Sequence, residues 1–508
     1  MLKKRSSGIL LHISSLPSRF GIGDLGPEAI RFADFMHQAG LSYWQILPLN
    51  PVEGQSGYSP YSGLSAFAGN PLLISPDLLA DEGYVQESDL QLEHGFREDR
   101  VDFEHVVPFK KQLLEKAFIS FRNDPTQRQA ELFEKFCNEH GEWLDNFAEY
   151  MALKNHFERQ AWFQWPVALR DRNPDILSEY REKLREEILR EKFLQFVFFQ
   201  QWETLKMYCK DRGIHFFGDV PFYVGYDSAD VWANAEIFKL DKDKSPVAVA
   251  GVPPDYFSET GQLWGMPVFD WKKLRKSKYD WWIRRITHNL LMFDIIRLDH
   301  FRAFSDYWEV PAGEATAING SWQEGPRSKF FQKLKKKFPE LPIIAEDLGD
   351  IDQPVYDLMN EFGLPGMKVL LFAFGEGMPK NSYINHHHTE NSVVYTGTHD
   401  NNTVRGWYEQ ARDTERQNLQ NYLSRSLGPD EVAPALVRMA MSSVSRLCVI
   451  PMQDYLGMGR EGVMNIPSTA SGNWGWRMTP YAVTDELIHR IRSLNELYDR
   501  CSEAAKLA

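Results

Sequence analysis

Cysteine is scarce in this 508-residue chain: Cys137, Cys209, Cys448 and Cys501 stand far apart with no C-x-x-C pair. Neither a disulfide framework nor a cysteine zinc site is indicated, and a reducing, cytoplasmic setting is the expectation. Long apolar runs are also missing. No stretch approaches the roughly 18 apolar residues of a membrane span. The basic start Met1-Leu2-Lys3-Lys4-Arg5 is followed only by the short Gly8–Leu11 run, too little for a secretory signal. Positive charge is not in excess either: 57 Lys and Arg against 70 Asp and Glu give a net charge of -13. That balance opposes adhesion to nucleic acid or an anionic membrane and leaves a neutral partner such as a sugar open. There is no internal repeat, no long low-complexity tract, and no H-E-x-x-H, G-x-S-x-G or P-loop string. Metalloprotease, serine-hydrolase and nucleotide-hydrolysis chemistry therefore drop out.

What is present is a recurring pattern. Short apolar or β-branched runs occur at Gly8–His12, Trp44–Leu49, Ile214–Val220, Phe293–Leu298, Pro342–Ala345, Met367–Phe372, Val393–Thr396 and Leu447–Pro451. Helical patterns separate most of them, among them Pro27–Ala39, Phe193–Arg212, Asp280–Leu291, Ser328–Phe338 and Val432–Ser445. Strands alternating with helices predict an α/β fold, a (β/α)8 barrel spanning 1–508 as one elaborated catalytic unit. The spacing is uneven. About 72–210 reads as a helical insertion after the second strand, and about 239–272, rich in Gly, Pro and aromatics, as a lid or loop insertion after the third.

Two motifs invite cofactor or metal readings and fail on context. Gly21-Ile-Gly23-Asp-Leu-Gly26 matches G-x-G-x-x-G, but it lies too far beyond its strand, and the next strand ends without the acid that would hold a ribose. A tight turn feeding a helix is expected instead. Consecutive residues His386, His387 and His388 do not converge as ligands, so a solvated loop is expected and no metal.

The acids are different. Arg297 and Asp299 sit two apart at the end of an apolar run, so a guanidinium and a carboxylate share one face at a strand's C-terminal end. Asp219 closes the third run, Glu346 the fifth and Asp400 the seventh, which places four acids on the catalytic rim of a barrel. A carboxylate nucleophile beside a protonated carboxylic acid is what retaining glycoside chemistry needs. Arg297 is expected to lower the pKa of Asp299, and the apolar approach to Glu346 to favour its neutral form.

Around these acids the chain resembles the amylase clan, and more narrowly the 4-α-glucanotransferases of glycoside hydrolase family 77 (amylomaltase, or disproportionating enzyme). The resemblance runs nearly end to end, through Trp44-Gln-Ile-Leu-Pro-Leu, Ser59-Pro-Tyr61, Ser65-Ala-Phe-Ala-Gly-Asn70-Pro, Gly218-Asp219-Val-Pro, Gly251-Val-Pro-Pro-Asp255-Tyr256-Phe257, Gly261-Gln-Leu-Trp264, Arg297-Leu-Asp299-His-Phe, Ala345-Glu346-Asp-Leu-Gly, Thr398-His399-Asp400-Asn, Gln453-Asp454 and Asn473-Trp474. It implies Asp299 as nucleophile, Glu346 as acid/base and Asp400 as transition-state stabiliser. It further implies that Arg297, His399 and Asp219 support the reacting ring and that Tyr61 stacks on it. Tyr256 and Phe257 would form an acceptor-side lid, with Asp255 and Trp264 bracing it or touching glucan, and Asn70 and Asn473 would join the substrate-binding set. The implied activity is transfer of α-1,4-glucan segments between maltodextrins without a cofactor. An α-glucan hydrolase of the same clan would use the same acids. Met266, Val463 and Ser468 depart from the family pattern outside the acid set.

Overall fold

Residues 2–92, 94–254, 258–469 and 471–506 are described in the structure, a computed structural model. Among them twelve strands form, in chain order β1 (Ser6–Leu10), β2 (Tyr43–Gln45), β3 (His215–Val220), β4 (Ala248–Val252), β5 (Gln262–Pro267), β6 (Ile295–Leu298), β7 (Asp306–Pro311), β8 (Ser321–Glu324), β9 (Ile343–Ala345), β10 (Gly366–Val369), β11 (Ser392–Tyr395) and β12 (Leu447–Pro451). Eight of them make one parallel sheet in the order β10-β11-β12-β1-β2-β3-β6-β9. Its two ends meet where the Ala345 N–H donates to Pro365 O at 2.9 Å, so the sheet curls into a (β/α)8 barrel. Every residue of β6, β9 and β12 is buried, as expected of parallel strands covered on both faces. All eight apolar runs of the sequence supply a barrel strand.

Packing at the barrel wall is close enough to select residues. A Cβ on Gly218 of β3 would come within 2.1 Å of the Phe293 ring, so only glycine lets that ring lie against the strand. The Trp202 ring packs 4.5 Å from Phe216 on the same strand. Helices Pro27–Gln38, Asp280–Met292, Arg327–Lys337, Gln353–Phe362 and Pro429–Ser442 lie between successive barrel strands. At the opposite end of the barrel from the acids, the buried Arg500 guanidinium donates to the carbonyls of Ser6, Met441, Ser443 and Ser445 and ties the C-terminal segment to β1.

Between β2 and β3 lie the long helices Phe103–Asn123, Gln127–His156 and Arg185–Asp211. The last of these grips the segment after β2 through two glutamines six residues apart. Gln195 accepts from Gly69 N–H and donates to Gly69 O, and Gln201 does the same with Ser75. Residues 239–272 contain β4 and β5, which join β7 and β8 in a four-stranded antiparallel sheet of order β5-β4-β7-β8. These strands escape a reading by alternation because β4 is built of small residues, Ala248-Val-Ala-Gly-Val252, with little contrast between faces. Among the described residues no helix is long and apolar enough to cross a membrane.

The glutamine grip yields a test. Gln195→Leu fills the volume but strands a buried N–H and a buried C=O of Gly69, which costs about 2–4 kcal/mol. A lowered midpoint in urea-induced unfolding is expected; an unchanged midpoint would show that the segment after β2 does not depend on this contact.

Candidate active site at the barrel mouth

Strand register assembles the site. Asp219 on β3 pairs with Arg297 on β6, and Leu298 on β6 pairs with Ala345 on β9, so Asp299 and Glu346 follow as neighbours one residue beyond their strands. Asp299 N–H donates to Val220 O at 3.1 Å and Glu346 N–H to Leu298 O at 3.1 Å, which extends the ladder to the rim. Arg297 lies between two carboxylates: its Nη1 donates to Asp219 Oδ2 at 2.6 Å and its Nη2 to Asp299 Oδ1 at 2.7 Å. Arg297 and Asp219 are buried, whereas the Asp299 side chain keeps 27% exposure and reaches into the mouth.

Glu346 is oriented by backbone. Its Oε2 accepts from His300 N–H at 2.7 Å and its Oε1 from Leu348 N–H at 2.9 Å. The first donor exists because His300 takes a left-handed conformation, φ 50°, directly after Asp299. Burial pushes Glu346 up to about 7, with Arg297 opposing the rise and the Asp299 charge adding to it. Asp299 is pushed up to about 6 by burial, against the pull of Arg297 and with Asp219 and Asp400 reinforcing the rise. Arg297 lowers Asp299 as expected, but the net shift is upward. One guanidinium shared with Asp219 does not outweigh burial among several carboxylates.

Asp400 stands on a loop after β11, not on a strand end. Burial favours its neutral form, but the neighbouring His399 and the Asn465 amide bring it down to about 2. Asn465 Nδ2 donates to Asp400 Oδ1 at 2.6 Å, and His399 Nε2 lies 3.2 Å from Asp400 Oδ2. The Asp400 charge in turn outweighs burial and holds His399 above its ordinary pKa. Tyr61 closes the ring of contacts. Its hydroxyl donates to Asp219 Oδ2 at 2.6 Å and lies 2.8 Å from His399 Nε2, and its ring stacks on His399 with centroids 5.2 Å apart at 14°. With the Tyr61 proton given to Asp219, the proton between Tyr61 and His399 belongs to Nε2. Burial, then the Asp219 charge, keeps the Tyr61 hydroxyl protonated.

The structure thus brings together Asp219, Arg297, Asp299, Glu346, His399, Asp400 and Tyr61. Trp264 lies beside this set, its ring edge-on to His300 at 4.8 Å and its Nε1 donating to Gln262. Asn70 and Asn473 are engaged with backbone: Asn70 Oδ1 accepts from Leu72 N–H, and Asn473 Oδ1 accepts from Ile466 N–H. Asp255, Tyr256 and Phe257 lie outside the described residues. His386 and His387 are exposed, but His388 departs from the expected solvated loop. It is buried between Ser443 Oγ at 2.7 Å and Tyr383 O at 2.8 Å, and burial lowers it to about 4. Among the described residues no cluster of three or more His, Cys, Asp or Glu is arranged to hold a metal ion.

Two residues carry parts that sequence reasoning did not assign. Asn465 is 65 positions from Asp400, and Asp454 accepts from Thr396 Oγ1 at 2.5 Å and from Val404 N–H at 2.8 Å, clasping both ends of the His399–Asp400 loop. Neither has a local sequence signal, because the bonds are made only by the folded chain.

A family profile described as 4-alpha-glucanotransferase matches residues 11–484. The 4-alpha-glucanotransferase of Aquifex aeolicus is 46% identical over 488 residues, covering 96% of this chain and 98% of its own. That of Synechocystis sp. is 47% identical over 502 residues, with 98% and 99% coverage. A solved amylomaltase of Streptococcus agalactiae, in complex with acarbose, superposes with a TM-score of 0.94 at 40% identity, over 98% of this chain and all of that one.

Asn465→Ala should raise the pKa of Asp400 from about 2 toward the ordinary carboxylate value, because a donor to the charged form is lost. Titration of 13C-labelled aspartate, with Asp400→Asn to assign the signal, measures it. An unmoved signal would leave His399 as the sole cause of the depression.

Proposed function

This chain belongs to the 4-alpha-glucanotransferase family, glycoside hydrolase family 77, and from that premise we propose that it passes α-1,4-glucan segments from one maltodextrin to another by a retaining double displacement. The observation that carries the mechanism is the register of β6 and β9. It sets Asp299 and Glu346 on adjacent strands, a spacing of about 4.8 Å, which suits the roughly 5–5.5 Å carboxyl separation of retaining glycosidases.

In this reading Asp299 Oδ2, the oxygen not held by Arg297, attacks the anomeric carbon of the bound donor. Glu346 gives its proton to the departing 4-oxygen, so the leaving glucan goes as a neutral alcohol. A glycosyl ester on Asp299 remains. The acceptor's 4-hydroxyl then loses its proton to Glu346 and attacks the same carbon, which releases Asp299 with net retention. Asp400, held below the usual carboxylate range, faces the positive charge that develops on the ring, and the Tyr61 ring supplies a stacking surface. Arg297 holds Asp299 in place, and Asp219 and Tyr61 hold Arg297 and His399. Donor and acceptor are α-1,4-glucans, neutral polymers compatible with the net charge of -13. A cytosolic setting is supported by the free thiols Cys137, Cys209 and Cys448.

Maltotriose alone should yield glucose together with longer maltodextrins, with little gain in reducing ends, since each broken bond is remade. Reducing ends rising in step with substrate loss, without longer chains, would replace transfer with hydrolysis by a clan relative.

The pH profile follows from the two raised carboxyls. Cleavage needs Asp299 ionised and Glu346 protonated, so kcat/KM should fall as pH drops below about 6 and as it rises above about 7. Glu346→Gln should remove the alkaline limb and cut turnover of natural glucans by about 10²–10⁴, while sparing the first step of a glycosyl fluoride, whose leaving group needs no proton. Equal losses on both substrates would reassign the acid.

A further inference from the structure

The four-stranded sheet carries an apolar row that the chemistry above does not use. Leu263 on β5 stands opposite Gly251 on β4, Gly251 opposite Trp308 on β7, and Trp308 opposite Trp322 on β8. Directly paired residues project to the same face, so the row crosses the whole sheet and ends on an indole that is 42% exposed.

That indole is held in place. The guanidinium of Arg302 lies over the Trp322 ring, 3.9 Å from its centroid. The Trp308 ring meets it edge-to-face, 5.2 Å away at 70°, and is itself fixed by its Nε1–H donating to Ala317 O at 2.9 Å. A Cβ on Gly320 would fall 2.2 Å from Trp308 Nε1, so the chain approaches here as closely as glycine permits. A large apolar ring fixed at the surface before anything binds loses little entropy when it is covered. On its own face of β8 stands Glu324, two residues on and paired with Arg327 at 3.6 Å, while Ser321 and Gln323 project to the other face. An apolar face with a polar rim matches a pyranose, which offers a C–H face and an edge of hydroxyls.

The row is also continuous with the mouth. Phe301 N–H donates to Glu346 O at 3.2 Å, and the next residue, Arg302, donates to Asp350 O on the loop that Glu346 begins. At its other end Leu263 projects to the face opposite Trp264, so it is the Trp322 end of the row that meets the rim.

We propose that Trp322, backed by Arg302 and Trp308, is a docking platform for a distal stretch of an α-1,4-glucan chain that runs out of the catalytic mouth. The proposal rests on the glucan-transfer reading and adds to it a preference for long chains. Maltotriose held at the acids has few units left to extend beyond the mouth, whereas a long maltodextrin has many.

The experiment compares Trp322→Ala and Trp322→Leu with the parent on maltotriose and on a maltodextrin of about twenty units. Stacking of this kind changes affinity about 2- to 10-fold. A rise of that size in KM for the long substrate is expected in both variants, with kcat for the long substrate and both constants for maltotriose within about twofold. Leucine keeps apolar bulk but has no ring face, so it decides the matter if the alanine variant fails to fold. Equal changes on both substrates would make Trp322 a packing lid for Arg302, and no change on either would leave the platform without a role; both outcomes overturn the proposal. So would a change in oligomeric state by light scattering with unaltered kinetics, which would assign the face to a second copy. A parent that does not disproportionate maltotriose would instead overturn the transfer reading, and the arms are therefore separable.

Discussion

The position of one buried cation governs this site. Arg297 is drawn to the floor of the mouth by the β3–β6 register, and there it bridges Asp219 and Asp299 at 2.6 and 2.7 Å. Removing one partner of a buried, hydrogen-bonded ion pair typically costs about 3–5 kcal/mol, because the other charge is left uncompensated. Asp219 is in that position twice over, since the oxygen that accepts from Arg297 also accepts from Tyr61. Through Tyr61 the constraint reaches His399, and through His399 it reaches Asp400. Four barrel strands that are distant in sequence thereby depend on a single guanidinium.

A single positive charge among several acids also explains why the acids differ. Asp400 owns a histidine and an amide donor and is brought down to about 2. Asp299 shares Arg297 with Asp219 and is raised by burial, and Glu346, held by two backbone donors and among the described residues by no ion pair, is raised by burial as well. The order of ionisation thus follows how much positive charge each carboxyl touches. It is also the order that the double displacement proposed above would call on: an anion, an ionisable nucleophile and a proton donor. Asp299 at about 6 is not a handicap, because the free mouth holds several like charges in competition for one cation.

How much of this was legible in the sequence depended on whether a residue's job is local. The eight runs were readable because the parallel strands are buried along most of their length, and Arg297 and Asp299 because residues two apart on a strand share a face. Asp219 and Glu346 could be placed on the rim since a strand ends there. The bond from Tyr61 to Asp219 spans 158 positions and no pattern announces it. His388 looked like part of a solvated triplet, but the third histidine turns inward onto Ser443, 55 residues away. The net direction of the Asp299 shift was hidden for the same reason: the lowering by its sequence neighbour Arg297 was visible, whereas the crowd of carboxylates and the depth of burial exist only after folding.

Asp400 shows what a position at the mouth requires when the barrel ladder does not supply it. Asp299 and Glu346 have their backbone N–H groups tied to the strand carbonyls of Val220 and Leu298, so register alone sets their place to within a hydrogen bond. Asp400 comes five residues after β11 ends at Tyr395. Its loop is therefore fastened from outside, at both ends by Asp454 and in the middle by Asn465, whose N–H donates to His399 O while its amide donates to Asp400. A carboxylate on an untethered loop would turn toward solvent and away from the other acids. Both fastening residues come from the segment after β12, so the placement of Asp400 depends on β12 being paired between β11 and β1.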